Sequence, residues 1–136
     1  MGEDISSFGE WVGTSREQHD CIDGALLAGM SAALDRDDPT PKNGDPLPPC
    51  WHWMYFRDTT RQSELGNDGH PNRGGLMPPI PLPRRMWAGS KIRFNMPLRV
   101  GEAACKRSEI KSITSKKGKS GALVFLNIRH TVLNVA

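Results

Sequence analysis

The sequence has no Cys-x-x-Cys pair, and only three scattered cysteines, Cys21, Cys50 and Cys105. An odd, dispersed set makes no disulfide framework; it predicts reduced thiols packed as small hydrophobes. None of His19, His52, His70 and His130 has a partner at His-x-x-x-His spacing, so no metal site is expected. There is no Gly-x-Gly-x-x-Gly and no Gly-x-x-x-x-Gly-Lys, which argues against the common phosphate-cradling loops. Nor is there a Gly-x-Ser-x-Gly nucleophile elbow. No apolar run approaches the roughly 18 residues of a membrane span. Met1-Gly2-Glu3-Asp4 is acidic and lacks the apolar region of a signal peptide, so a cytoplasmic location is expected. Internal repeats are absent, and so are low-complexity tracts beyond the prolines.

What is present fits one globular domain over residues 1–136. The chain is 37% hydrophobic and 24% charged, a globular balance. A chain this long buries about two thirds of its unfolded surface, enough for one core. The net charge of +3 conceals an asymmetry: residues 1–50 hold 10 acids and 3 bases, a net of −7, and residues 51–136 hold 5 acids and 15 bases, a net of +10. A basic half can serve nucleic acid, an anionic cofactor, an acidic partner or its own acidic half.

The chain is organised around Gly74–Gly89. Proline fixes φ and removes a donor, so Pro78 to Pro83 form neither helix interior nor central strand. An extended, polyproline-like strap is predicted, packed along a surface through its Leu, Met and Ile residues. It delivers Arg84, Arg85 and Trp87 at fixed positions. Pro78-x-x-Pro81 is present, but Pro83 stands where an SH3 ligand would carry a base.

Ser15 and Gln18 have capping-box spacing. Ile22, Leu26, Met30 and Leu34 follow at intervals of four, which predicts a helix over 16–34. Gly24 and Gly29 each cost about 1 kcal/mol there, which close packing would excuse. Residues 1–13 read as an arm, 35–50 as turns and 57–75 as a long loop. Cys50–Phe56 is an aromatic cluster, strand or helix. Alternation then predicts strands at Lys91–Asn95, Glu102–Ile113 and Ala122–Leu133, with a basic turn at Ser115–Lys119. On the last strand, Val124, Leu126, Ile128 and Val132 share one face. His130 falls on that same face, and core or edge packing is expected for it. His52 reads as a buried ring, and His70, in a loop, as a ligand contact. A helix followed by an antiparallel meander is an α+β arrangement.

Several stretches together resemble a known family. They are Gly44-Asp45-Pro46-Leu47-Pro48-Pro49-Cys50-Trp51-His52-Trp53-Met54-Tyr55-Phe56, Leu65–Pro71, Gly74–Gly89, Pro97–Glu102 and Lys117–Gly121. They resemble the N-terminal half of MaoC-like double hot-dog hydratases. Within these they are most similar to the group of 3-methylfumaryl-CoA (mesaconyl-CoA) hydratases and hydroxyacyl-thioester dehydratases type 2. The resemblance runs from about Trp11 to Asn134. It implies a hot-dog fold, a curved antiparallel sheet wrapped around a helix. The implied reaction is reversible hydration of an α,β-unsaturated acyl thioester, with no cofactor beyond the CoA or carrier thioester substrate. Arg84, Arg85, Trp87, His70 and Arg73 are then expected to bind that substrate, because arginine forks suit CoA phosphates. Salt bridges to the acidic first half are the competing role for Arg84 and Arg85.

One departure limits this expectation. The family's catalytic Asp and His lie in an Asp-x-Asn-Pro-x-His-like motif. The nearest match here, Asp35-Arg36-Asp37-Asp38-Pro39-Thr40-Pro41, ends without a His. In two-domain members that pair belongs to the C-terminal half. The chain is therefore expected to be a substrate-side half, short or truncated at its C-terminus, with no catalytic residue assigned. A non-enzymatic acyl-CoA-binding or partner-binding remnant is the alternative. An exposed sheet edge predicts a homodimer or a catalytic hot-dog partner chain. Neither nucleic acid nor membrane is an expected partner.

Overall fold

A computed structural model describes residues 5–119 and 121–135; expectations for residues 1–4 lie outside it. A 3-10 turn at Ile5–Trp11 opens the described chain. Strand β1 (Ser15–Cys21) follows, then helix α1 (Gly24–Ala33), and later two long strands, β2 (Ala103–Gly118) and β3 (Gly121–Asn134). The sheet order is β1-β2-β3. Thr14 accepts from Ile110, while Ile22 donates to Glu102, so β1 runs antiparallel to β2. One α-helix with an antiparallel sheet is the α+β architecture of a hot-dog fold.

The predicted helix over 16–34 is corrected: its first third is β1. Residues 15–21 are polar, with exposure that alternates towards their end, and Gln18 and Asp20 are the less exposed. That is a strand's periodicity. The Ser15–Gln18 capping box does not form. The helix starts at Gly24, where the Asp23 carboxylate accepts from the Ala25 N–H at 2.9 Å. The two helix glycines differ. A Cβ on Gly24 would stand 3.2 Å from Val100, whereas nothing lies within 4 Å of one on Gly29. Close packing explains the first glycine only.

The chain divides into two compact units. One comprises residues 17–57, 90–106 and 132–136. Its core joins Ile22, Leu27, Leu47, Tyr55, Phe56, Val100 and Ala104, with Leu26, Trp51, Met54, Leu98 and Val132 packed around them. Residues of α1, β2 and β3 thus share this core. The aromatic cluster forms a 3-10 turn, Trp51–Met54. Tyr55 turns back to donate to the Asp23 carbonyl at 2.6 Å. Residues 44–47 and 98–100 lie side by side: Gly44 donates to Val100, Val100 to Asp45, and Leu47 to Leu98. Two stretches that carry the family resemblance therefore pair with each other. Gly101 closes this region at φ 89°, and a Cβ there would meet the Asn43 side chain at 2.9 Å.

Among the described residues, the other unit comprises 5–16, 58–89, 107–119 and 121–131. Ile110 and Pro78 are its fully buried apolar side chains. Along the proline strap Pro78, Ile80 and Leu82 are covered, and Pro79, Pro81 and Pro83 are exposed; Ile80 donates to the Pro78 carbonyl at 2.8 Å, a γ-turn that interrupts the predicted extended run at Pro79.

Two strand assignments change. Residues 91–95 alternate in polarity but form no ladder, and Ile92 and Phe94 are 41% and 53% exposed. Alternation provides a face; a strand also needs a bonded neighbour. The basic turn at 115–119 is mostly strand, since β2 continues to Gly118. There the Lys116 ammonium lies 5.2 Å from the centre of the Phe125 ring across the hairpin. On β3, Val124, Leu126, Ile128 and Val132 are the partly covered residues, as expected. His130 is exposed, not core; its Nδ1 lies 2.7 Å from the Oγ of buried Ser108. Among the described residues, no helix is long and apolar enough to cross a membrane.

Candidate functional site

The loop 65–85 folds around Asp68, a residue the sequence reading did not single out. An isolated bridge pairs Leu65 with Pro71, and Gly66 donates to the His70 carbonyl at 2.7 Å. Inside this tight turn one Asp68 oxygen accepts from the His70 N–H at 3.1 Å. The other accepts from Arg85 Nε at 2.9 Å and stands 3.6 Å from His70 Nδ1. Arg85 also donates to the Pro71 carbonyl at 3.2 Å. The Asp-Gly-His order is the available signal, since an Asp side chain commonly bonds the N–H two residues on.

The His70 N–H holds the Asp68 carboxyl below its ordinary range; burial opposes this as the next-largest effect, and the neighbouring Arg85 and His70 charges reinforce it. A carboxylate stabilised in its charged form is a poor proton acceptor. Asp68 holds the Arg85 guanidinium at 2.9 Å.

The five predicted binding residues separate into three groups. His70 and Arg85 are brought together by Asp68. Arg73 is turned to the strap, where its Nη1 donates to the Ile80 carbonyl. It pins the bend that the Gly74-to-Met77 hydrogen bond closes at 2.8 Å. Arg84 and Trp87 stand on the surface at the strap's end, Trp87 with 76% of its area exposed. The competing role for the arginines is corrected for Arg85, because its acid is Asp68 of the basic half.

The nearest match to the family's catalytic motif is structural. Asp38 accepts from Ser31 Oγ at 2.7 Å and from Arg36 at 2.6 and 3.0 Å. It ties the chain leaving α1 back to buried Ser31. Hydrogen bonds from Arg36 and then Ser31 lower its pKa. His52 lies in the aromatic turn, half-buried and tilted against Trp53 at 5.6 Å between ring centres. Burial first, and the Lys106 charge second, push its pKa down.

Among the described residues, an antiparallel sheet with one α-helix matches the expected fold class. The chain belongs to the hydroxyacyl-thioester dehydratase type 2 family, whose model matches residues 50–135. It is 44% identical over 122 residues to the mesaconyl-C(4)-CoA hydratase of Chloroflexus aurantiacus. That alignment covers 90% of this chain and 44% of the relative, so the chain spans less than half the relative's length.

Proposed function

We propose that this chain is the substrate-side half of a hydro-lyase that adds water reversibly to an α,β-unsaturated acyl-CoA of the mesaconyl type. The observation that carries this reading is the 44% identity to a mesaconyl-C(4)-CoA hydratase. The geometry supports a binding role. Asp68 fixes one guanidinium at the strap's root, and the exposure of Arg84 and Trp87 beyond it supports contacts with phosphates and a flat base. Arginine binds phosphate bidentately and stacks on planar groups. Hydration also needs a base for water and an acid for the α-carbon. The carboxylates best defined here, Asp38 and Asp68, are both committed to arginines, so we assign the proton transfers to a companion hot-dog domain.

The test is mesaconyl-CoA hydration, followed by loss of the conjugated thioester's absorbance. The expected result is no turnover by this chain alone, CoA-thioester binding by calorimetry, and turnover once a catalytic hot-dog chain is added. Turnover by the chain alone that survives Asp38→Asn, Asp68→Asn and His70→Ala would overturn the division of labour. The structural commitment of Asp38 favours a second reading, an acyl-CoA-binding module without chemistry. Its signature is retained CoA binding with no rate in any combination.

A further inference from the structure

Glu17, His19 and Cys105 form a cluster for which thioester hydration has no use. Their ligand atoms, a carboxylate oxygen, an imidazole nitrogen and a thiol sulfur, all lie within 4.8 Å of one another. The sheet register accounts for this. β1 pairs with β2 so that Thr14 meets Ile110 and Ile22 meets Glu102. Counting inward from either pair puts His19 directly opposite Cys105. Glu17 is two residues from His19 on the same strand, and successive even steps along a strand point to one face. Glu17 and His19 are exposed, while Cys105 is 9% exposed at the margin of the core.

We propose that Glu17, His19 and Cys105 bind a zinc ion, with the fourth position open to water. Mixed nitrogen, sulfur and oxygen donors suit this borderline-soft ion, and three protein ligands plus one open position is one of its standard arrangements. Tetrahedral bonds of about 2.0–2.3 Å place ligand atoms about 3.4–3.7 Å apart. Rotation of the two exposed side chains closes the remaining gap, and Cys105 need not move. On binding, the Cys105 S–H bond breaks, its proton leaves to solvent, and the sulfur electron pair forms the Zn–S bond. Spacing along the chain could not reveal this set, because two ligands come from β1 and the third from a strand most of the chain away.

Cobalt(II) is the probe, as a coloured stand-in for zinc. Added to the full chain, it should produce a thiolate-to-cobalt charge-transfer band that saturates at one equivalent and is bleached by zinc. The band should survive Cys21→Ser and Cys50→Ser and vanish in Cys105→Ser. His19→Ala alters an exposed side chain and should keep the fold by circular dichroism. It should weaken cobalt binding by more than about tenfold. Zinc should raise the melting temperature of the native chain and leave that of His19→Ala unchanged. No band in the native chain, a band that persists in Cys105→Ser, or equal affinity in His19→Ala would each overturn the proposal.

Discussion

The Asp20 carboxylate accepts a 2.8 Å hydrogen bond from the backbone N–H of Phe56, a buried aromatic residue with φ of 57°. Gln18, two residues earlier on β1, donates to the Phe56 carbonyl at 3.1 Å. Two side chains of one strand thus hold both backbone groups of a residue in the left-handed region. That conformation costs a non-glycine residue roughly 1–2 kcal/mol. The burial of the Phe56 ring offsets it, with the Lys106 ammonium 5.7 Å from the ring centre.

Asp20→Ala should therefore destabilise the chain by about 1–3 kcal/mol, the cost of a covered N–H left without its acceptor. Asp20→Asn keeps an acceptor oxygen and should cost less. Urea unfolding of the two variants gives the comparison.

Two glycines should respond in opposite directions. Gly29→Ala meets open space within the helix and should gain about 0.5–1 kcal/mol. Gly101→Ala places a Cβ against Asn43 at a positive φ and should lose more than about 1 kcal/mol. Thermal melts of both variants beside the native chain decide this. Stabilisation by Gly101→Ala would contradict the packing described here.

Stability should decline on mild acidification, with His52 as a contributor. Its pKa is lowered in the folded chain, so the unfolded chain takes up a proton first as pH falls. The contribution is complete above the unfolded value of about 6.5. It diminishes below that value and is lost as pH passes through the depressed folded one. His52→Phe should flatten this part of the stability–pH curve, measured by denaturant titration at several pH values.

Asp68→Ala should release Arg85 and loosen the loop 65–85. Trypsin should then cut after Arg73, Arg84 or Arg85 several-fold faster than in the native chain. CoA-thioester affinity should fall by about tenfold if Arg85 is held for phosphate, since loss of one charged hydrogen-bonding contact is worth roughly 1.5 kcal/mol. The native loop contact should also persist to unusually low pH. The Asp68 pKa is depressed, so the charge is complete above an ordinary Asp value of about 3.9 and is lost only as pH falls through the lower folded value.

The sequence was most readable where a local physical rule acts alone. Pro78 to Pro83 could be neither helix interior nor central strand, and they form neither. The β3 alternation named its covered face correctly, because the side chains of a strand follow a strict period. Reading failed where distant partners decide. The four-residue rhythm from Ile22 to Leu34 was real, but extending it back to residue 16 missed that Ser15–Cys21 pairs with β2. Lys91–Asn95 carried the alternation of a strand without a neighbour to bond. At the candidate site, Arg85 and His70 were legible as residue types. Their organiser, Asp68, was not, because its importance lies in a bond to an arginine well downstream.

The strand order also dictates an order of events. β2 and β3 are neighbours in the chain, separated by a short connection, so their hairpin closes at little entropic cost. β1 pairs across a much longer loop: Thr14 and Ile110 meet, and 110 − 14 = 96 positions of the 136-residue chain separate them. Non-local pairings of this kind slow folding. β1 should then be the last strand to arrive, and its amides should exchange with solvent before those of β2, which hydrogen-exchange measurements would check. A zinc ion held by Glu17, His19 and Cys105 would clamp that late joint shut.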